Sequence, residues 1–184
     1  MVSFYEAIFY GWGGEFKGNS AAPIKTGTNM SPKSGIMILP VEANLKEIDE
    51  KGRDYRWRKP ELCVHCKGSH LWGHGYVESW FDGYARALLL RRYRCPVCGC
   101  VIKLKPRGYF RRFQAPIEMI YFQIDSRLKT GKWPGGCVRE RCRHWLRSLK
   151  RQTMAHLGLE WMNHLPQAFS RLIEMGKVPV SRCI

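Results

Sequence analysis

Two Cys-x-x-Cys pairs are the residues of this chain whose type and spacing speak most directly of chemistry. Cys63-Val64-His65-Cys66 is answered 29 positions later by Cys95-Pro96-Val97-Cys98. Two cysteines three apart on a tight turn offer two thiolates from one side, and two such turns complete the tetrahedral set that Zn²⁺ prefers. Cys63, Cys66, Cys95 and Cys98 are therefore the expected ligands of one Zn²⁺ ion. Four thiolates leave no open coordination position, so such a metal is structural and generates no hydroxide nucleophile. His65, His70, His74 and Cys100 are the alternative ligands if one knuckle cysteine is not used, although a turn or surface role is expected of each histidine. A disulfide framework is the competing use of eight cysteines. The paired spacing favours reduced thiolates, and the N-terminus does not read as a secretory leader.

The elements that must hold these pairs follow from pattern. The 28 residues between them, 67–94, suit a long hairpin: residues 76–81 are rich in β-branched and aromatic side chains, Asp82-Gly83 is a turn dipeptide, and residues 87–94 return to the second pair. Residues 100–105 alternate apolar and basic side chains and predict a third strand. Together these make a small zinc ribbon of three antiparallel strands with the metal at one end. Pro116 then opens a helix in which Ile117, Ile120, Tyr121, Ile124 and Leu128 share one face. A Gly/Pro-rich stop at 130–136 precedes a second helix over about 138–151, with Val138, Cys142, Trp145, Leu146 and Leu149 as its apolar stripe. A third helical region starts near Leu159 and is kinked or restarted at Pro166. The fold class is α+β, divided into an N-terminal extension at 1–59 that is partly flexible, the zinc ribbon at 60–115, and a helical, helix-turn-helix-like domain at 116–184.

Charge bears on the partner. The chain carries 31 Lys plus Arg against 15 Asp plus Glu, a net of +16. The excess is concentrated: residues 61–115 hold ten basic groups against three acidic ones and residues 116–151 hold nine against three. A field of this sign draws polyanions, of which nucleic acid is the commonest in a cell. The basic segments lack the apolar face of a lipid-bound helix, and no apolar run approaches the roughly 18 residues that span a bilayer, so no membrane partner is expected. Arg91, Arg92, Arg94, Arg111 and Arg112 on the ribbon stand among aromatic residues able to stack bases, and Arg139, Arg143, Arg147 and Lys150 follow one another along one side of the second helix. These are the candidate nucleic-acid contacts, with duplex DNA favoured. The 15 carboxylates form no recognisable two-metal cluster, and no phosphate loop or nucleophile-base motif is present, so the expectation is a non-enzymatic protein.

The run Leu62-Cys63-Val64-His65-Cys66, His74-Gly75 at the start of a strand, and Arg92-Tyr93-Arg94-Cys95-Pro96-Val97-Cys98-Gly99 resemble the N-terminal zinc ribbon of bacterial insertion-sequence transposases and related helix-turn-helix proteins. The resemblance covers roughly residues 60–155. It implies recognition of duplex DNA by ribbon and helices, a mobile-element setting, a protein partner such as a recombinase, and a cytoplasmic, nucleoid-associated location. The acidic catalytic domain of a full transposase has no counterpart before Ile184. Two other expectations stand beside it: an RNA-binding or ribonucleoprotein subunit whose aromatic ribbon face stacks unpaired bases, and a structural adaptor within a larger nucleoprotein assembly.

Overall fold

A computed structural model describes residues 36–182. The expectations for residues 1–35 and for Cys183 lie outside the described residues. Within them the chain is α+β, with a four-stranded mixed sheet and four α-helices, and it divides into two units at Ala115/Pro116.

The sheet unit contains β1 (Ile36–Val41), α1 (Leu45–Lys51), β2 (Trp72–Ser79), β3 (Leu88–Arg94) and β4 (Val101–Pro106), in the order β1-β4-β3-β2. The three antiparallel strands expected from the hairpin pattern are β2, β3 and β4, and the sheet gains a fourth that the pattern did not show. β1 runs parallel to β4, with Met37 opposite Ile102 and Leu39 opposite Leu104. Its Met37, Leu39 and Val41 pack on a core of Cys63, Leu71, Tyr93, Cys95, Cys100, Ile102 and Leu104. Residues 36–54 thus belong to the sheet unit as built structure. A second core, Ile48, Phe81, Leu88 and Leu90, forms against α1, and Trp57 packs against both. Asn44 caps α1 by accepting from the backbone N–H of Lys46 at 3.0 Å.

The β2–β3 register slips by one residue between Gly73 and Tyr76, a bulge that Gly75 accommodates at a φ of 70°, in the left-handed region that glycine reaches at little expense. Lys105 is 7% exposed, and its ammonium donates to three carbonyls, Phe110 at 2.5 Å, Arg111 at 3.3 Å and Phe113 at 3.0 Å. It thereby folds the connector after β4 back onto the sheet.

The helical unit contains α2 (Ile117–Thr130), α3 (Arg139–His156), a 3-10 turn over Leu159–Asn163, and α4 (Leu165–Glu174). Pro116 takes the cap position immediately before α2, and Gly131 ends that helix in the left-handed conformation with its N–H bonded to Arg127 O. The buried face of α2 is Ile120, Gln123 and Ile124, while Leu128 is exposed. On α3, Cys142, Trp145 and Leu149 are buried as the apolar stripe requires. Val138 lies instead at the cap, 66% exposed. The helix continues five residues past Arg151, because Gln152 and Thr153 extend its buried face. Pro166 restarts the chain as α4, whose Leu165, Ala168, Phe169, Leu172 and Ile173 complete the core. Among the described residues no helix is long and apolar enough to cross a membrane.

Candidate metal centre and basic cleft

Four cysteine sulfurs converge in the sheet unit. The Sγ atoms of Cys63, Cys66, Cys95 and Cys98 all lie within 4.8 Å of one another, with Cys63 to Cys98 at 3.7 Å and Cys66 to Cys95 at 3.5 Å. A tetrahedral metal with metal–sulfur bonds of about 2.3 Å sets its ligands about 3.8 Å apart, so the spacing fits a single ion. Cys63 and Cys95 are fully buried. Of the alternative ligands, His65, His70, His74 and Cys100 all stay outside this group. His70 pairs through Nδ1 with Ser69 Oγ at 3.1 Å.

The two knuckles are copies of one turn. Cys63 N–H donates to Gly68 O at 2.8 Å and Lys67 N–H to Cys63 O at 2.9 Å; Cys95 N–H donates to Cys100 O and Gly99 N–H to Cys95 O, each at 3.0 Å. The residue after the second cysteine has positive φ in both, 62° at Lys67 and 68° at Gly99. Backbone hydrogen bonding from Cys98 brings the Cys95 thiol down to about 7, whereas burial pushes Cys98 up to about 12. Four packed sulfurs competing for protons in this way are a donor set suited to a cation. A side chain at Gly68 would stand 3.4 Å from Cys66 Sγ, so the turn closes directly over the sulfurs.

Several arginines of the sheet unit are held by their surroundings, whereas the buried Nε of Arg92 has no hydrogen-bond partner among the described residues. The Arg91 guanidinium stacks over the Tyr76 ring at 4.7 Å and the Tyr93 ring at 5.7 Å, in space that a Cβ at Gly73 would fill. Arg92 stands opposite Lys103 in the β3–β4 register, and Arg94 opposite Val101. Arg111 donates to Ile36 O at 3.4 Å, and Arg112 is exposed. Two further arginines are engaged by acids, Arg86 with Asp49 at 2.6 Å and Arg107 with Glu42 at 2.8 Å. Of the aromatic residues among these arginines, Tyr93 and Phe110 are core residues, and Tyr109 meets Phe81 edge to face at 4.8 Å. Trp80 is exposed, as is Trp72, which the aromatic pattern did not single out.

The helical unit builds a different site. Arg139, Arg143 and Arg147, one helical turn apart on α3, line a cleft of about 730 Å³ together with Arg127, Lys132 and Trp133 from the end of α2 and the loop after it. Lys150 is exposed on α3 outside this lining. Five cations thus face one carboxylate, Glu140. The Arg127 guanidinium lies 5.6 Å over the Trp133 ring. Gln123 fixes the loop: its Nε2 donates to Gly135 O at 2.9 Å while its Oε1 accepts from the buried Cys142 thiol at 3.6 Å. Nearby, His144 accepts from Arg182 at 3.2 Å, and burial, Arg182, Arg147 and Arg151 together hold its pKa below the ordinary histidine value. Arg127, Lys132 and Trp133 escaped sequence reasoning because they come from a helix end and a loop and carry no periodic signal.

The chain matches no protein-family model, no curated protein and no solved structure.

Proposed function

We propose that this chain is a non-enzymatic, zinc-stabilised nucleic-acid-binding protein of the mobile-element type, gripping duplex DNA through the arginines of α3. The four-thiolate cluster would hold one structural Zn²⁺, whose contribution is to fix the sheet. The chain's own residues do the binding. The observation that carries this reading is the cleft: Arg139, Arg143 and Arg147 share it with Arg127 and Lys132, opposed by Glu140 alone. Cations gathered in one concavity constitute a phosphate-backbone site, and with no ion pair to them among the described residues a polyanion can supply the counter-charges. The resemblance of the cysteine-bearing segments to transposase ribbons supports duplex DNA as that polyanion, a recombinase as an associated protein, and a nucleoid location.

Salt dependence tests the reading. If all five cations neutralise phosphates, log affinity falls against log salt with a slope of about −4 to −5. Arg143→Ala combined with Arg147→Ala should flatten that slope by roughly 2 and weaken a blunt duplex by at least tenfold, with zinc content unchanged. Unaltered duplex binding in that variant rejects α3 as the contact surface. The exposed Trp72 and Trp80 on the sheet unit favour a second activity, stacking of unpaired bases, as in an RNA-binding subunit.

A further inference from the structure

We propose that the sheet unit carries a separate oxyanion pocket that takes one phosphate group of a single-stranded nucleic acid, with the attached base resting on Trp80. The pocket, of about 170 Å³, is lined among others by Ser79, Trp80, Lys103, Lys105, Arg111 and Arg112. Liquid water occupies about 30 Å³ per molecule, so this open pocket has room for a phosphate group.

The charges inside it call for an anion. Lys103 and Lys105 lie two residues apart on β4, and Arg92 stands directly across from Lys103. Burial first, then the neighbouring cation, lowers the pKa of both lysines, and among the described residues no ion pair is formed by either. A buried lysine beside a half-buried one is an unfavourable pair of like charges, and an oxyanion reverses the sign of the interaction. The three lysine donors of Lys105 are spent on carbonyls, so it supplies charge alone. Lys103 donates to Ser79 Oγ at 2.7 Å, which leaves two N–H groups of its ammonium for phosphate oxygens. The exposed Arg112 closes the mouth with a guanidinium fork.

Trp80 selects the strand type. It lines the same pocket and is 56% exposed, so a nucleotide whose phosphate enters the pocket can lay its base against the indole. In a duplex that base face is covered by its neighbours; only an unpaired nucleotide offers it. The source of the phosphate rests on the nucleic-acid reading above, while the anion chemistry of the pocket does not.

The test uses the full zinc-loaded chain. Inorganic phosphate, exchanged for chloride at constant ionic strength, should raise the Tm of wild type and of Trp80→Ala more than that of Lys103→Gln, whose α3 cleft is unchanged. A fluorescein-labelled oligo(dT) of eight nucleotides should bind Lys103→Gln, Trp80→Ala and Arg112→Ala about fivefold or more weaker than wild type, with the blunt-duplex affinity of Lys103→Gln and Trp80→Ala kept within twofold. Arg112 is exposed, so its variant does not disturb the sheet interior, and zinc content identifies any variant that has lost its fold. Equal phosphate stabilisation of wild type and Lys103→Gln, or oligo(dT) binding that falls only with Arg143→Ala and Arg147→Ala, overturns the pocket. Loss of duplex binding alone would remove the α3 reading and leave the pocket standing.

Discussion

The two units hold their arginines in opposite ways. In the sheet unit Arg91 is wedged between two tyrosine rings, Arg86 and Arg107 meet carboxylates, and Arg111 reaches a backbone carbonyl. In the helical unit Arg139, Arg143 and Arg147 project from one side of α3 into an open cleft with Glu140 as its carboxylate. The contrast follows from how each unit is stabilised. The sheet unit has two small cores, a four-cysteine cluster and a connector tied down by Lys105, so several of its arginines are recruited into structure. In the helical unit α2, α3 and α4 each bury an apolar face, and the α3 arginines of the cleft are exposed. Similar local charge excesses therefore have different meanings. Cations already engaged inside a protein hold the fold, and unengaged ones are available to a ligand.

Metal removal should expose this difference most strongly. With zinc as the ion, binding to such sites contributes on the order of 10 kcal/mol to folding. Chelation, or Cys95→Ser, should collapse the sheet unit's amide NMR dispersion while the helical unit's resonances persist. Concerted loss of both sets would break the comparison. The reciprocal change, Trp145→Ala in the helical core, removes a side chain that is 2% exposed and should destabilise that unit by about 3 to 5 kcal/mol. The visible spectrum of a Co²⁺-loaded sample should not move, because no ligand has been touched.

A finer comparison lies between the two knuckles. Lys67 occupies the positive-φ position that Gly99 fills in the second turn, at 62° against 68°. Lys67→Gly should stabilise the sheet unit by about 0.5 to 1 kcal/mol, and Gly99→Ala should destabilise it by about 1 kcal/mol. Denaturant midpoints that shift in the same direction for both would contradict the equivalence of the turns. The smallest effect is at His144. Its folded-state pKa lies below the 6.5 of an ordinary histidine, so the unfolded chain binds more protons in that interval. Its contribution to the helical unit is present above pH 6.5 and is lost as pH falls through the folded value. A polyanion bound beside Arg147 should raise that value, as a histidine NMR titration with and without duplex would read.

What the sequence made legible was local. Cys63 and Cys66, and Cys95 and Cys98, announce their cluster because ligand spacing is a property of each short turn. The hairpin was readable because its apolar side chains flank Asp82-Gly83, and the stripe of Cys142, Trp145 and Leu149 because it repeats at helical intervals. β1 was not, since its partner β4 lies 65 residues away and parallel pairing leaves no turn signal between them. That the two knuckles share a positive-φ residue was hidden by a lysine, Lys67, standing in a glycine's place. The cleft was half legible: its α3 side has a period, and its Arg127, Lys132 and Trp133 side does not.

The bulge at His74 and Gly75 bears on how this protein behaves at high concentration. β2 is an edge of the sheet, and a long flat edge invites strands from other molecules to pair with it. The one-residue slip twists that edge out of register. At the opposite edge, Pro40 within β1 withholds a backbone donor from any incoming strand. A sheet of four strands with both margins blunted in this way is a poor template for a fifth.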